Sequence, residues 1–341
     1  MTKTERSEPK KKLILLVILL LLAGAVLAGA PMVGMKAISL NSILHPVSGG
    51  VDAKIFWMIR VPRVCVSFLA GAALAVSGMA FQAMFRNPLA TPFTLGVASG
   101  ASLGAAIYIR VGLLFNFLGI SGISISAFAG ATLSILLVYG LSKVRKGFST
   151  STMLLAGVAI SFFFSSVILF TQYMSNFTNS FRILHWLMGG LEVVGFESVL
   201  NMAPFVTSGS AIIFYMTHEL NLMVTGEEIA TSRGVNVEKT KKILFFATSL
   251  MVGGVVAICG PIGFVGMMAP HICRLLIGAD HRYLTPVTLL FGGVFLTLCD
   301  MLARTLIAPA EMPVGIITAL LGGPFFVWLL VGKTSSKRGI I

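Results

Sequence analysis

Few residues in this chain have the type and spacing that chemistry requires. Asp300 and Arg304 lie one helical turn apart inside the apolar run 284–306, close enough to pair. Asp300 is the main acid within the apolar runs, and ion coupling needs titratable carboxylates at membrane mid-depth. A lone acid beside a cation serves that mechanism poorly. The tail "VGKTSS" (Val331 to Ser336) resembles the end of a phosphate-binding loop, but Val327 stands where the motif needs glycine, and an apolar helix end precedes it rather than a strand and turn. No nucleophile elbow or paired-histidine zinc motif occurs. The histidines at 45, 185, 218, 271 and 281 are scattered, and only His271, in "APHICR", sits beside a helix break. Cys65, Cys259, Cys273 and Cys299 lie in or beside apolar segments without metal-ligand spacing and read as small packing residues.

The elements that hold these residues are membrane helices. Of 341 residues, 56% are hydrophobic and 11% charged, against roughly 25% charged in an ordinary soluble domain. Apolar runs long enough to span ~30 Å of hydrocarbon as helices cover 13–33, 61–84, 93–110, 114–141, 150–173, 197–216, 242–262, 284–306 and 312–331. None alternates with period two, so helices are expected rather than a barrel. After Gly260 the run "GPIGFVGMMAPHICRLLIG" carries Pro261, Gly263, Gly266 and Pro270, which predict a short, irregular tenth segment. Basic residues at both ends, Lys10 to Lys12 and Lys333, Lys337 and Arg338, put both termini in the cytoplasm and require an even number of crossings.

Threaded through ten crossings, 18 of the 25 Lys and Arg fall on the cytoplasmic side. The net charge of +13 is then a topological signal and not evidence for nucleic acid. Lys36, Lys54, Arg60, Arg63, Arg110, Arg182 and Arg304 fall outside. The first segment has features of a cleavable signal, with "AGA" at Ala28 to Ala30, but cleavage would break the even parity, so an uncleaved first helix is expected. The whole of 1–341 reads as one all-α transmembrane domain, with a cytoplasmic tail at 1–12, a cytoplasmic connection at 218–241 and a second tail at 332–341.

Helix breakers mark the other notable stretches. Asn87, Pro88 and Pro92 in "FRNPLATPF" end one span and start the next, since proline pushes its preceding residue out of helical geometry. Gly96, Gly100 and Gly104 recur at intervals of four, a face on which a neighbouring backbone can approach closely. Gln82, near the end of the second span, suits either packing or a pathway. "GEEIATSRGV" opens with carboxylates that favour a helix N-terminus and closes near Gly234, a helix stop, so a short surface helix is predicted there.

Three stretches, "RVPRVCVSFLAGAALAVSGMAFQAMFRNPLATPFTLGVASGASLGA", "GEEIATSRGV", and "GPIGFVGMMAPHICRLLIGADHR" with "CDMLARTLIAPAEMPVGIITALLGGPFF", together resemble the permeases of ABC importers for iron chelates, haem and vitamin B12. The resemblance covers nearly the whole chain. It implies a homodimer of ten-helix subunits in the bacterial or archaeal cytoplasmic (inner) membrane, with substrate passing along the two-fold axis. It also implies a separate ATPase dimer that uses ATP and Mg, and a solute-binding protein on the outer face; no cofactor is expected on this chain. By the same resemblance, Arg60, Arg63 and Arg304 would receive carboxylates from the binding protein, and Gly226, Glu227, Glu228, Ala230 and Gly234 would couple to the ATPase. Asn87, Pro88 and Leu89, with Thr150 and Ser151, would form the cytoplasmic gate. A ferric siderophore is the expected cargo, with haem or cobalamin as alternatives; "WLMGGLEVVGFE" (Trp186 to Glu197) resembles the glycine pair of B12-type members. An ion-coupled secondary transporter is the competing reading.

Overall fold

The computed structural model describes residues 3–34, 36, 38–39, 43, 50–113, 115–117, 119–144 and 150–338. His45, Arg145 and Lys146, and the two ends of the chain, lie outside the described residues. The helices are α1 (Lys3–Gly29), α2 (Gly50–Phe85, with a π-turn at Ile55–Arg60), α3 (Val97–Val111), α4 (Gly122–Val144), α5 (Thr150–Tyr173), α6 (Phe177–Leu187), α7 (Glu197–Tyr215), α8 (Thr217–Thr225), α9 (Glu227–Ser232), α10 (Val237–Cys259), α11 (Val265–Ile277), α12 (His281–Thr305) and α13 (Val314–Arg338). Asn116–Phe117 and Ile120–Ser121 pair as a two-residue antiparallel hairpin before α4.

Among the described residues, seven helices are long and apolar enough to cross a bilayer: α1 from Lys10, α2, α4, α5, α7, α10 and α12. Three shorter apolar helices join them, α3, α11 and the first sixteen residues of α13, Val314–Leu329. This is an all-α, polytopic membrane architecture.

α2 is the central pillar. Ala70, Ala72, Ala73, Ala75 and Ala80 on it are 0–1% exposed, because its small side chains let α12, α11, α10 and α7 pack closely around it. A Cβ on Gly71 would sit 2.2 Å from the carbonyl oxygen of Gly292 on α12, and one on Gly78 1.8 Å from that of Gly266 on α11. α1 lies at the periphery and is buried over only 17% of its apolar window.

The glycine series of α3 divides. Gly100 and Gly104 are packing positions, where a Cβ would meet the Gly130 and Ser126 carbonyls of α4 at 2.4 and 2.0 Å. Gly96 is not on the helix face: it is the left-handed residue (φ 86°) between the 3₁₀ turn Phe93–Leu95 and α3, a conformation that a β-carbon disfavours.

The predicted irregular segment is present, with a correction to its breakers. Residues 260–264 are non-helical, whereas Gly266 and Pro270 lie inside α11. Pro270 cannot donate to the Gly266 carbonyl four residues back; Gln82 Nε2 donates to it instead, at 3.3 Å. Arg274 donates in turn to Gln82 Oε1. Gln82 therefore closes a proline gap between α2 and α11.

The two ends of the bundle are distinct. Phe81 meets Phe245 at 6.4 Å between ring centroids, Tyr139 meets Phe246 at 5.1 Å, and Lys12 lies 5.4 Å above the Tyr283 ring. The end of α2 thus lies with the end of α4 and the starts of α1, α10 and α12. We refer to this as the basic end.

Candidate functional site

At the basic end α2 stops at Arg86, which takes a left-handed conformation (φ 50°). Asn87 then folds the chain back on itself: its Oδ1 accepts from the Leu89 amide at 2.9 Å and its carbonyl from the Ala90 amide at 3.1 Å, the turn that short amide side chains favour. Pro88 and Leu89 are exposed at its tip. Beside the turn is a cavity of about 390 Å³, lined by Gln82, Arg86, Asn87, Pro88, His271, Arg274 and His281. Asp280 caps α12 there, accepting from the Arg282 amide at 3.1 Å and from Asn221 Nδ2 at 2.9 Å. Partial burial pushes its carboxyl up, but these donors outweigh it and hold the group below the usual carboxylate value.

Thr150 and Ser151 open α5 at the same end. Among the described residues no hydrogen bond joins them to the Asn87–Leu89 turn. Thr150 meets a different partner: Lys241 Nζ lies 3.4 Å from its Oγ1 and 2.7 Å from Glu227 Oε1.

Glu227 belongs to the predicted surface helix, which is observed as α9. Gly226 (φ 137°) precedes it, Glu227 and Glu228 occupy its first turn, Ala230 is fully buried, and Gly234 (φ 85°) ends the segment. Its other side chains, Glu228, Ile229, Thr231 and Ser232, face outward.

At the opposite end Arg63 and Arg304 share one acid, Asp300, whereas Arg60 is tied to backbone carbonyls, so each of the three is already engaged within the chain. Arg63 Nε donates to Asp300 Oδ1 at 3.0 Å, and its Nη1 to Glu311 Oε2 at 2.6 Å. Arg304 Nε lies 3.1 Å from Asp300 Oδ2, the pair expected from their spacing, and its Nη1 donates to the Val33 carbonyl at 3.1 Å. Arg60 donates to the carbonyls of Pro31, Met32 and Lys36 at 3.2, 3.3 and 2.6 Å. The three are 4–6% exposed and Asp300 is 0% exposed. Arginine suits this work, because its planar fork satisfies a carboxylate and a carbonyl together.

Between the two ends runs a groove of about 460 Å³ on α3 and α5, where Ser99, Ser102, Ser161, Ser165 and Gln172 are interleaved with apolar residues such as Phe93, Ile168 and Leu169. Ser99 Oγ donates to Ser161 Oγ at 3.2 Å, and Ser161 to the Gly157 carbonyl at 2.8 Å. Hydroxyls that bond back to their own helix remain polar at low cost within hydrocarbon. The groove offers neutral hydrogen-bonding groups and no charge.

A model of the FecCD transport family matches residues 13–332. The chain belongs to the FecCD transport family. It is 35% identical over 98% of its length to the hemin transport system permease protein HmuU of Yersinia pestis, covering 99% of that protein. It is 40% identical over 80% of its length to the cobalamin import system permease protein BtuC of Halobacterium salinarum, covering 72% of it. A solved structure described as an inward-facing conformation of a metal-chelate type ABC transporter matches with a TM-score of 0.83 and 31% identity, over 93% of this chain and 98% of that one. The FecCD chain is thus a multi-pass membrane permease, a transport subunit.

Two features of this FecCD permease escaped the sequence reading. One is the hydroxyl groove, although Ser161, Ser165 and Gln172 recur on one helical face of an otherwise apolar span, a pattern that periodicity can detect. The other is Lys241, read only as one of several basic residues in a cytoplasmic connection. Of the glycine pair of "WLMGG", Gly189 is required by its left-handed backbone (φ 71°) and by the Pro261 carbonyl 2.4 Å from where a Cβ would sit, whereas a Cβ on Gly190 would meet nothing within 4 Å. Gly190 N donates to the Cys259 carbonyl at 2.9 Å and Gly315 N to the Gly189 carbonyl at 3.2 Å, joining the ends of α6, α10 and α13.

Proposed function

We propose that two copies of this chain form the translocation pathway of an ABC importer for a metal chelate, with ten crossings per copy and both termini in the cytoplasm. The carrying observation is the uncharged groove on α3 and α5, in which hydroxyls and Gln172 are set among apolar side chains. A bulky chelate that hands over its own polar rim needs neutral hydrogen-bonding walls, and a strongly binding site would retain it. In this reading the basic end faces the cytoplasm and meets a separate ATPase dimer through α9. The Asn87–Leu89 turn and the start of α5 form the inner gate. A solute-binding protein docks at the arginine end, and lipid covers exposed apolar residues such as those of α1.

Docking takes a specific form here. A partner carboxylate reaches Arg63 by taking the place of Glu311, whose side chain is 32% exposed. The competing ion-coupled reading has little to work with, because Asp300 is held between Arg63 and Arg304.

The cargo we assign is a ferric siderophore; the relatives' names supply hemin and cobalamin as the alternatives. Purifying the cognate binding protein and identifying the ligand it retains, by absorbance and mass spectrometry, tests this. A ferric chelate band supports the assignment, and a haem or corrin spectrum overturns it.

A further inference from the structure

We propose that Lys241 is a positioning residue that carries movement of α9 to the start of α5. The inference rests on the reading that α9 meets the ATPase.

Lys241 sits in the second turn of α10 and is 2% exposed. Its ammonium reaches across to Glu227, the first residue of α9, at 2.7 Å, and to Thr150, the first residue of α5, at 3.4 Å. The consecutive helices α9 and α10 therefore meet α5, whose Thr150 lies 91 residues before Lys241, at one nitrogen. An exposed lysine would exchange such partners for water at little cost. Lys241 lacks that option, since a buried ammonium that loses its carboxylate is left uncompensated. When α9 shifts, Glu227 must therefore draw the ammonium with it or break the pair.

The receiving element is suited to respond. α5 carries Ser161, Ser165 and Gln172 of the hydroxyl groove, and a helix transmits a displacement at its first turn along its length. α9 is also held from behind, because Ala230 is fully buried and its carbonyl accepts from the Val235 amide at 3.0 Å. A push on this segment is then delivered at Lys241 rather than absorbed within the loop.

The test uses the permease assembled with its ATPase in lipid nanodiscs, with the four native cysteines replaced. A spin label is placed at Ser232 or, separately, at Ser151, both exposed. Spectra are compared without nucleotide and with ATP plus vanadate. In the parent protein both labels should respond. In Lys241→Met the Ser232 label should still respond while the response at Ser151 is lost, and Lys241→Arg should restore it. Thr150→Val, which removes only the hydroxyl arm, should reduce the Ser151 response and serves if Lys241→Met fails to insert. A full Ser151 response in Lys241→Met, or in Thr150→Val should that variant stand alone, overturns the proposal. A silent Ser232 label in the parent protein overturns the underlying reading of α9 instead, and the proposal with it.

Discussion

Arg63 on α2 and Asp300 on α12 are joined by two contacts, 3.0 Å from Nε and 2.9 Å from Nη2, although 237 residues separate them. The acid is fully buried and also faces Arg304. This pairing fastens the central helix to its main neighbour at the arginine end. Asp300→Ala would leave Arg304 buried without its carboxylate and strip Arg63 of one of two. A loss of about 3–5 kcal/mol is expected for breaking such a pair, read as a large fall in thermal unfolding temperature in detergent.

Close backbone packing gives a second prediction. Gly104→Ala places a methyl 2.0 Å from the Ser126 carbonyl, so α3 and α4 must separate, at a cost of about 1–3 kcal/mol. Gly24→Ala, on a helix position with nothing within 4 Å, should be neutral or slightly stabilising, since alanine is the better helix former. Thermal unfolding of the two variants side by side checks the contrast.

The arginine end yields a third. If a partner's carboxylate replaces Glu311 on Arg63, Glu311→Gln removes the internal competitor and should tighten binding of the solute-binding protein. Arg63→Glu should weaken it by at least about tenfold at low salt. High salt should shrink both differences, because screening already weakens the parent attraction. Affinities are to be measured on material that elutes as folded permease, since Arg63→Glu also disturbs Asp300. Unchanged affinity in both variants would remove Arg63 from docking.

How far the sequence reaches is seen in particular residues. The limits of α5 agree with the apolar run 150–173, and the short α11 follows the expected break at residues 260–264, since apolar length and backbone chemistry are local properties. α10 begins at Val237 rather than at 242: Asn236 caps it, accepting from the Lys239 amide at 3.0 Å, and Glu238, Lys239, Lys241 and Lys242 in its first two turns hide the start from a hydropathy reading. α6 and α8 are short and partly polar and carry no span-length signal. The α9 helix was legible from its carboxylates and glycines. The Arg63–Asp300 and Lys241–Thr150 contacts were not, because each joins helices whose packing depends on the whole bundle.

A fourth prediction concerns the inner mouth. With the native cysteines replaced, a single cysteine at Asn87 should crosslink between the two copies, provided their Cα atoms come within about 7 Å, and the yield should change with nucleotide. A cysteine at Gly100, on the α3–α4 packing face, should show no such dependence. Absence of Asn87 crosslinks in every state, with a longer bifunctional reagent as well, would make the turn a connector and move the gate elsewhere.

In this reading the chain is a passive pathway energised by another subunit. Reconstitution into liposomes with its ATPase, followed by uptake of the ligand-loaded binding protein's cargo, tests it most directly. The account predicts uptake that requires ATP on the ATPase side and the binding protein on the other, and that survives ionophores collapsing proton and sodium gradients. Uptake driven by an imposed ion gradient without ATP, or abolished by those ionophores while ATP is present, would contradict it.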